Sequence, residues 1–193
     1  MRRGYFSFPS LDLMKNIVWA LTLCGFVSLG TLGHAVDSTV NPLAPVVPAA
    51  LQVASPEKLS FSAKAQGVQI YQWLPKKDAP TQFEWAFKAP AADLFDAQGK
   101  KIGHHYAGPT WEATDGSKVV GAVKSRVDSK VPGAAPWLLV GAKTHAGTGI
   151  FSHVTSIQRL ETSGGKPPAT AGAKPGEEVR VPYTATYYFY VSP

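Results

Sequence analysis

From residue 58 onward, apolar and polar side chains alternate with a period of two. Leu59, Phe61 and Ala63 are interleaved with Lys58, Ser60, Ser62 and Lys64, and Phe83, Trp85 and Phe87 with Gln82, Glu84, Ala86 and Lys88. Successive side chains of a strand point to opposite faces, so each pattern predicts a pleated strand with one apolar and one polar face. Residues 68–73 form a further predicted strand, with aromatics on one side and aliphatics on the other. Residues 137–140 are a continuous apolar run, short enough for a buried strand, and residues 154–161 alternate again. The clearest strand covers residues 179–191. Tyr183, Ala185, Tyr187, Phe189 and Val191 line one face, and Thr184, Thr186, Tyr188 and Tyr190 the other. Both faces look at least partly covered, which predicts a central strand, while Pro182 near its start fits an entry or edge position because proline cannot donate to the ladder.

Turn chemistry separates these runs. Asp96-Ala97-Gln98-Gly99 precedes Ile102, Asp115-Gly116 is a two-residue hairpin signal, and Gly164-Gly165 follows the strand ending at Glu161. No window of about a dozen residues after Ala35 carries a capped 3.6-residue apolar stripe, and 18 glycines and 16 prolines argue further against long helices. The expected fold is all-β: an antiparallel sandwich or closed barrel of about eight to ten short strands.

The N-terminal 35 residues follow a different pattern. Lys15 and Asn16 precede an almost unbroken apolar run over residues 17–32, and Gly33-His34-Ala35 places small residues where signal peptidase needs them. A run with two glycines, shorter than the roughly 20 residues of a bilayer span, reads as a cleaved signal rather than an anchor. Residues 1–13 then read as an extension ahead of a start at Met14. The expected organisation is extension and signal peptide at 1–35, a Pro-rich lead-in at 36–47 packed partly on the domain, and one β-domain at 48–193. The expected location is the periplasm or the medium, with no transmembrane helix after cleavage.

Charge and cysteine content narrow the chemistry. Cys24 is the only cysteine and lies within the apolar run, preceded by Leu23 rather than a small residue, so lipidation is not expected. The chain after Ala35 offers no disulfide, thiol nucleophile or thiolate ligand. Removing Arg2, Arg3, Lys15 and Asp12 takes 19 basic and 13 acidic residues to 16 and 12, a net of +4 without a basic stripe. No nucleic-acid partner is expected.

Four segments are specific in combination. They are Gly67-Val68-Gln69-Ile70-Tyr71; the stretch from Gly103-His104-His105-Tyr106 through Gly108-Pro109-Thr110-Trp111-Glu112 to Asp115-Gly116; Pro136-Trp137-Leu138-Leu139; and Ile157-Gln158-Arg159-Leu160 with Gly164-Gly165 and Arg180-Val181-Pro182-Tyr183-Thr184-Ala185. In order and spacing the chain resembles the exported bacterial and fungal family called domain of unknown function 3455, over essentially the whole β-region. The resemblance implies export but no activity. Some fungal relatives carry a malate dehydrogenase label. This chain lacks a Gly-x-Gly-x-x-Gly turn between strand and helix, and any βαβ alternation to hold a dinucleotide, so that label is rejected and no cofactor is expected. The resemblance also implies a cysteine where Trp73 stands and a second near Ala171. If those two pair in relatives, an indole here replaces a staple.

Candidate chemistry is sparse. His104 and His105 are neighbours on a strand and point to opposite faces, so they cannot hold one ion together without a bulge. His145 and His153 could join one of them beside the Gly147-Thr148-Gly149 loop, but no short ligand spacing is present and no metal site is assigned. Tyr106, Trp111 and Glu112 flank Gly108-Pro109. A flat ring beside a carboxylate suits a glycan platform, although tryptophans also fill β cores. Glu112 and Asp115 straddle a tight turn, a common place for solvated acids rather than a glycosidase pair. Arg159 and Glu161, two apart on one strand, are expected on one face and paired, with Arg159 steadying a loop such as 103–110 or serving a ligand. The ligand-binding candidates are therefore Tyr106, Trp111, Glu112, His104, His105 and Arg159. The leading expectation is a non-enzymatic binding module for a glycan or envelope component. An uncharacterised hydrolase or metal-dependent enzyme using His104, His105, Glu112 or Asp115 is the second reading. A structural envelope or coat protein is the third.

Overall fold

A computed structural model describes residues 43–193; the expected signal peptide, Cys24 and the start of the lead-in lie outside the described residues. Eight strands follow in order: β1 Lys58–Lys76, β2 Ala79–Phe95, β3 Lys101–Tyr106, β4 Thr110–Ala113, β5 Lys118–Val127, β6 Trp137–Ala146, β7 Val154–Gly164 and β8 Glu178–Val191. Each pairs antiparallel with the next, and β8 returns to β1, closing a barrel. Of the two expected architectures, the barrel is the one formed. Closure removes the exposed sheet edge that a sandwich keeps.

The turns form where their chemistry placed them. The Asp96 carboxylate accepts the backbone N–H groups of Gln98 and Lys100, and Gly99 takes φ 79° to close β2 onto β3. Gly116 at φ 86° does the same between β4 and β5. Pro182 sits at an edge as expected: β8 pairs with β7 only from Tyr183 onward, leaving Pro182 paired with β1 alone.

Two expectations of short strands are corrected. Residues 58–64 and 68–73 belong to one 19-residue strand, and β2 runs for 17 residues. No turn residue interrupts residues 64–68, so the ladder continues through Gly67, paired with Ala92 and Tyr183.

Alternation sorts the strands into an apolar interior and a polar exterior. Ala63, Ala65, Leu94, Trp111, Val119, Val140, Ile157, Tyr183, Tyr187 and Phe189 are buried in one inner cluster, while Lys58, Ser60, Ser62 and Lys64 face out. This is the reverse of the apolar-out pattern of a membrane-spanning barrel. No helix among the described residues is long and apolar enough to cross a membrane.

One end of the barrel is plugged. Phe61 stacks on Phe189 at 4.6 Å, and Phe151 from the β6–β7 loop packs against Phe189 at 5.0 Å. That loop is tied to the β4–β5 turn: Asp115 accepts Ile150 N–H and the Ser117 hydroxyl, and Ser117 Oγ accepts Phe151 N–H. Ser117 and Phe151 are both fully buried. Replacing Ser117 by alanine is expected to cost about 1–3 kcal/mol, because Phe151 N–H loses its acceptor away from water. A urea midpoint unchanged from wild type would contradict this anchoring.

Residues 47–53, ahead of β1, cover part of the outer face. A 3-10 turn, Ala49–Leu51, puts Leu51 against Leu139 and Leu160 with Val47, Val53, Val127, Trp137 and Tyr188 around them. Gln158 secures it, its Nε2 donating to Leu51 O at 2.6 Å while its Oε1 accepts from the Tyr190 hydroxyl. The second face of β8 is therefore covered, as its residues predicted.

Candidate functional site

The half of the barrel opposite the Phe151 plug is not filled. β3 and β4 are six and four residues long, so their connecting turn at residues 107–109 stops partway up the wall. β2 pairs with β3 only over Ala92–Phe95, and β5 pairs with β4 only over Lys118–Val120. Above the turn, β2 and β5 each keep one side without a strand neighbour. The result is a lateral window leading into the barrel. Phe87 on β2 and Val123 on β5 stand at its rim, 54% and 52% exposed, with Gly108 and Pro109 below.

Two adjoining cavities open from this window. The first, about 260 Å³, is lined by Phe87, Lys88, Val123, His105, Trp111 and Arg159 among others. The second, about 540 Å³, shares Phe87, Val123, Leu138 and Arg159 and extends to Gln69, Tyr71, Trp85, Arg126, Asp128 and Lys166. A volume of this order falls within the roughly 300–1,000 Å³ of small-molecule sites.

Bulges decide which side chains reach this space. Tyr71 pairs with Phe87 and Ile70 with Ala89, so Lys88 is the extra residue of β2. Val123 pairs with Val140 and Ser125 with Leu139, so Lys124 is the extra residue of β5. After each bulge the inward parity changes, because two residues oppose one. Val123 and Arg126 therefore line the same lumen although they are three residues apart.

The six candidates divide between the two sides of the wall. His104 points outward, its Nδ1 3.2 Å from Asp93 Oδ1, and it stays half exposed. Asp93 also holds Lys101, which keeps its carboxyl below the ordinary range. Tyr106 and Glu112 are also outside: the Tyr106 hydroxyl donates to Glu112 Oε2 at 2.5 Å, and Lys118 Nζ lies 3.0 Å from the same oxygen. Both interactions, the Tyr106 hydrogen bond first, hold the Glu112 carboxyl below its usual value.

His105, Trp111 and Arg159 are inside. Trp111 is 1% exposed, so the expected glycan platform of Tyr106, Trp111 and Glu112 does not form. Trp111 and Glu112 are adjacent on β4 and must point to opposite faces, the ring into the barrel and the carboxylate into solvent. The indole stacks on His105 at 4.3 Å and meets Tyr187 edge-on at 5.5 Å. His105 Nδ1 lies 2.8 Å from Thr110 O; a carbonyl only accepts, so Nδ1 carries the proton and donates. Burial, with the Arg159 charge adding to it, pushes the His105 pKa down to about 3, so the ring is neutral.

Arg159 and Glu161 do not pair, contrary to their spacing. Glu161 adopts φ 52° within a bulge between Leu160 and Ser163, and this turns it outward to Thr186 Oγ1 and the Tyr188 hydroxyl. Arg159 faces the lumen, with Nε and Nη2 both donating to Pro136 O at 3.1 and 2.9 Å. It steadies the β5–β6 loop at Pro136 rather than residues 103–110.

The remaining histidines do not converge. His145 Nε2 contacts Val154 O at 2.7 Å and His153 is exposed. Among the described residues no group of three or more His, Cys, Asp or Glu side chains gathers at one point. Asp115 is engaged in the turn anchor and lies away from the lumen.

Several lining residues carried no isolated sequence signal. Gln69 and Tyr71 are buried in the lumen, and the Tyr71 hydroxyl donates to Gly165 O at 2.6 Å. Trp85 Nε1 donates to Thr170 O, and Trp73 packs so closely on Gly172 that a Cβ there would lie 2.6 Å from the ring. The indole therefore holds the β7–β8 loop at the place where the resemblance implied two cysteines. The signal that could have identified the lumen is the inward series Gln69, Tyr71, Trp73, which keeps the parity of Phe61, Ala63 and Ala65.

Compared with curated proteins and with solved structures, the chain finds no match in either set. Residues 54–191, from just before β1 to the end of β8, match the family model described as Protein of unknown function (DUF3455), and the chain belongs to that family.

Proposed function

We propose that this protein is an exported, non-enzymatic binding module whose ligand is a small, apolar-bodied molecule held inside the barrel. The observation that carries this reading is the window itself. Phe87 and Val123 expose large apolar groups at the only stretch where β2 and β5 lack a strand neighbour among the described residues, and the cavities behind them reach Trp111 and Tyr187. Apolar groups at the mouth of an unfilled lumen lose contact with water when a ligand covers them, and this favours binding. The apolar run at residues 17–32 followed by Gly33-His34-Ala35 supports export. With Trp111 inside the barrel, the platform that favoured a glycan is no longer available.

The test is a titration of the purified chain with two probes sharing one apolar body, 2-naphthoate and 2-naphthalenemethanol, followed by calorimetry and tryptophan fluorescence. At least one is expected to bind saturably with one site per chain. Phe87→Ser is expected to weaken that binding about tenfold or more, given the roughly 1.5–3 kcal/mol gained by burying a phenyl side chain. Phe87 is half exposed, so the melting temperature should change little. The proposal is wrong if neither probe saturates, or if Phe87→Ser binds as well as wild type.

A further inference from the structure

The cavity walls carry hydrogen-bond donors and positive charge well in excess of what the fold uses. Arg159 is 7% exposed and forms no ion pair among the described residues. A guanidinium has five N–H groups. Two of them meet Pro136 O, and the Tyr187 hydroxyl faces the same charge, so at least two are left without an acceptor. Gln69 Nε2 and Trp111 Nε1 are also buried without a hydrogen-bond partner, and each belongs to a residue lining one of the two cavities. Arg126 and Lys166 stand at the walls of the second cavity, against the single carboxylate of Asp128, while Lys88 at the rim is ion-paired with Glu178. His105 is neutral and adds no charge.

Burying an arginine without a counter-charge opposes folding unless something else satisfies it. One backbone carbonyl is a partial partner. A planar carboxylate would complete the set, because the guanidinium fork matches two carboxylate oxygens. We infer that the ligand is an organic acid, its carboxylate held by Arg159 and its apolar body lying between Phe87, Val123, Leu138 and Trp111. This inference rests on the proposed binding function and specifies the chemistry of its ligand. Arg126 and Lys166 draw the anion to the window, and Arg159 receives it inside.

The same pair of probes separates the two statements. Both carry the naphthalene ring; only 2-naphthoate has the carboxylate. Wild-type protein is expected to bind 2-naphthoate at least about tenfold more tightly, the range for a hydrogen bond to a charged group being about 10- to 100-fold. Arg159→Met keeps the length of the side chain and removes the charge, and the preference should fall to within about threefold; Arg159→Lys should retain part of it. If the wild type binds both probes equally, the acid assignment is overturned while the binding function stands. If neither probe binds, both are overturned. The wild-type ratio needs no variant, so loss of folding in Arg159→Met would leave the test intact.

Discussion

Replacing Trp111 by alanine is expected to destabilise the protein by about 3–5 kcal/mol, the range for deleting a buried aromatic side chain. Trp111 is among the largest fully buried groups, and three rings depend on it: His105 stacked at 4.3 Å, with Tyr187 and Phe189 edge-on at 5.5 and 6.5 Å. Below it lies Gly121, where a Cβ would come within 3.2 Å of the indole, so β5 approaches the ring closely. Short β4 gives this site few other contacts to fall back on. Trp111→Phe should retain more than half of the lost stability, because a ring still fills the space. Urea unfolding of both variants provides the measurement. A loss below about 1 kcal/mol for alanine would mean that the side chain is not in the core.

Stability should also fall with acid in a window set by His105. Folded, its pKa is depressed to about 3 by burial; unfolded, it returns to its ordinary 6.5. Below pH 6.5 the unfolded chain therefore takes up a proton that the folded barrel refuses. The stabilisation is complete above pH 6.5 and is lost as pH falls, at about 1.4 kcal/mol per pH unit once the unfolded histidine is fully protonated. The groups around the ring, Trp111, Tyr187, Thr110 and Arg159, provide no carboxylate to hold an imidazolium. Asp93, Glu112 and Asp115 have lowered pKa values, so their contributions stay intact above the ordinary carboxylate range and begin to be lost as pH falls into it, where the unfolded chain protonates first. Between about pH 6 and pH 5 the slope belongs to His105. Urea midpoints of wild type and His105→Gln over that range should diverge in slope, with the variant nearly flat. Parallel slopes would rule out a buried neutral histidine.

The division between readable and unreadable features follows the same residues. That His104 and His105 face opposite sides was visible in their adjacency. That Trp111 and Glu112 do so follows from the same rule, yet their flanking Gly-Pro turn invited reading them as one surface. The Arg159 and Glu161 pairing failed because a left-handed residue at Glu161 inserts a step into the alternation, and a glutamate in that position gives no warning of it.

Binding would use residues that are ordinary in sequence. Gln69, Arg126 and Arg159 lie on three strands and meet only because the sheet closes. The extra residues Lys88 and Lys124 set which face each of their strands turns inward, and either lysine would look equally natural in a regular ladder.

Local sequence by itself determined the strands, their two faces, the Asp/Gly turns and the absence of long helices among the described residues, because each depends on side chains within a few positions of one another. Tertiary structure alone decided that the sheet closes, that one end is plugged by Phe151 while the other keeps a window, and that Arg159 lies buried without a counter-charge. Those outcomes depend on strand register and bulges summed around eight neighbours, and no single segment of the chain encodes that sum.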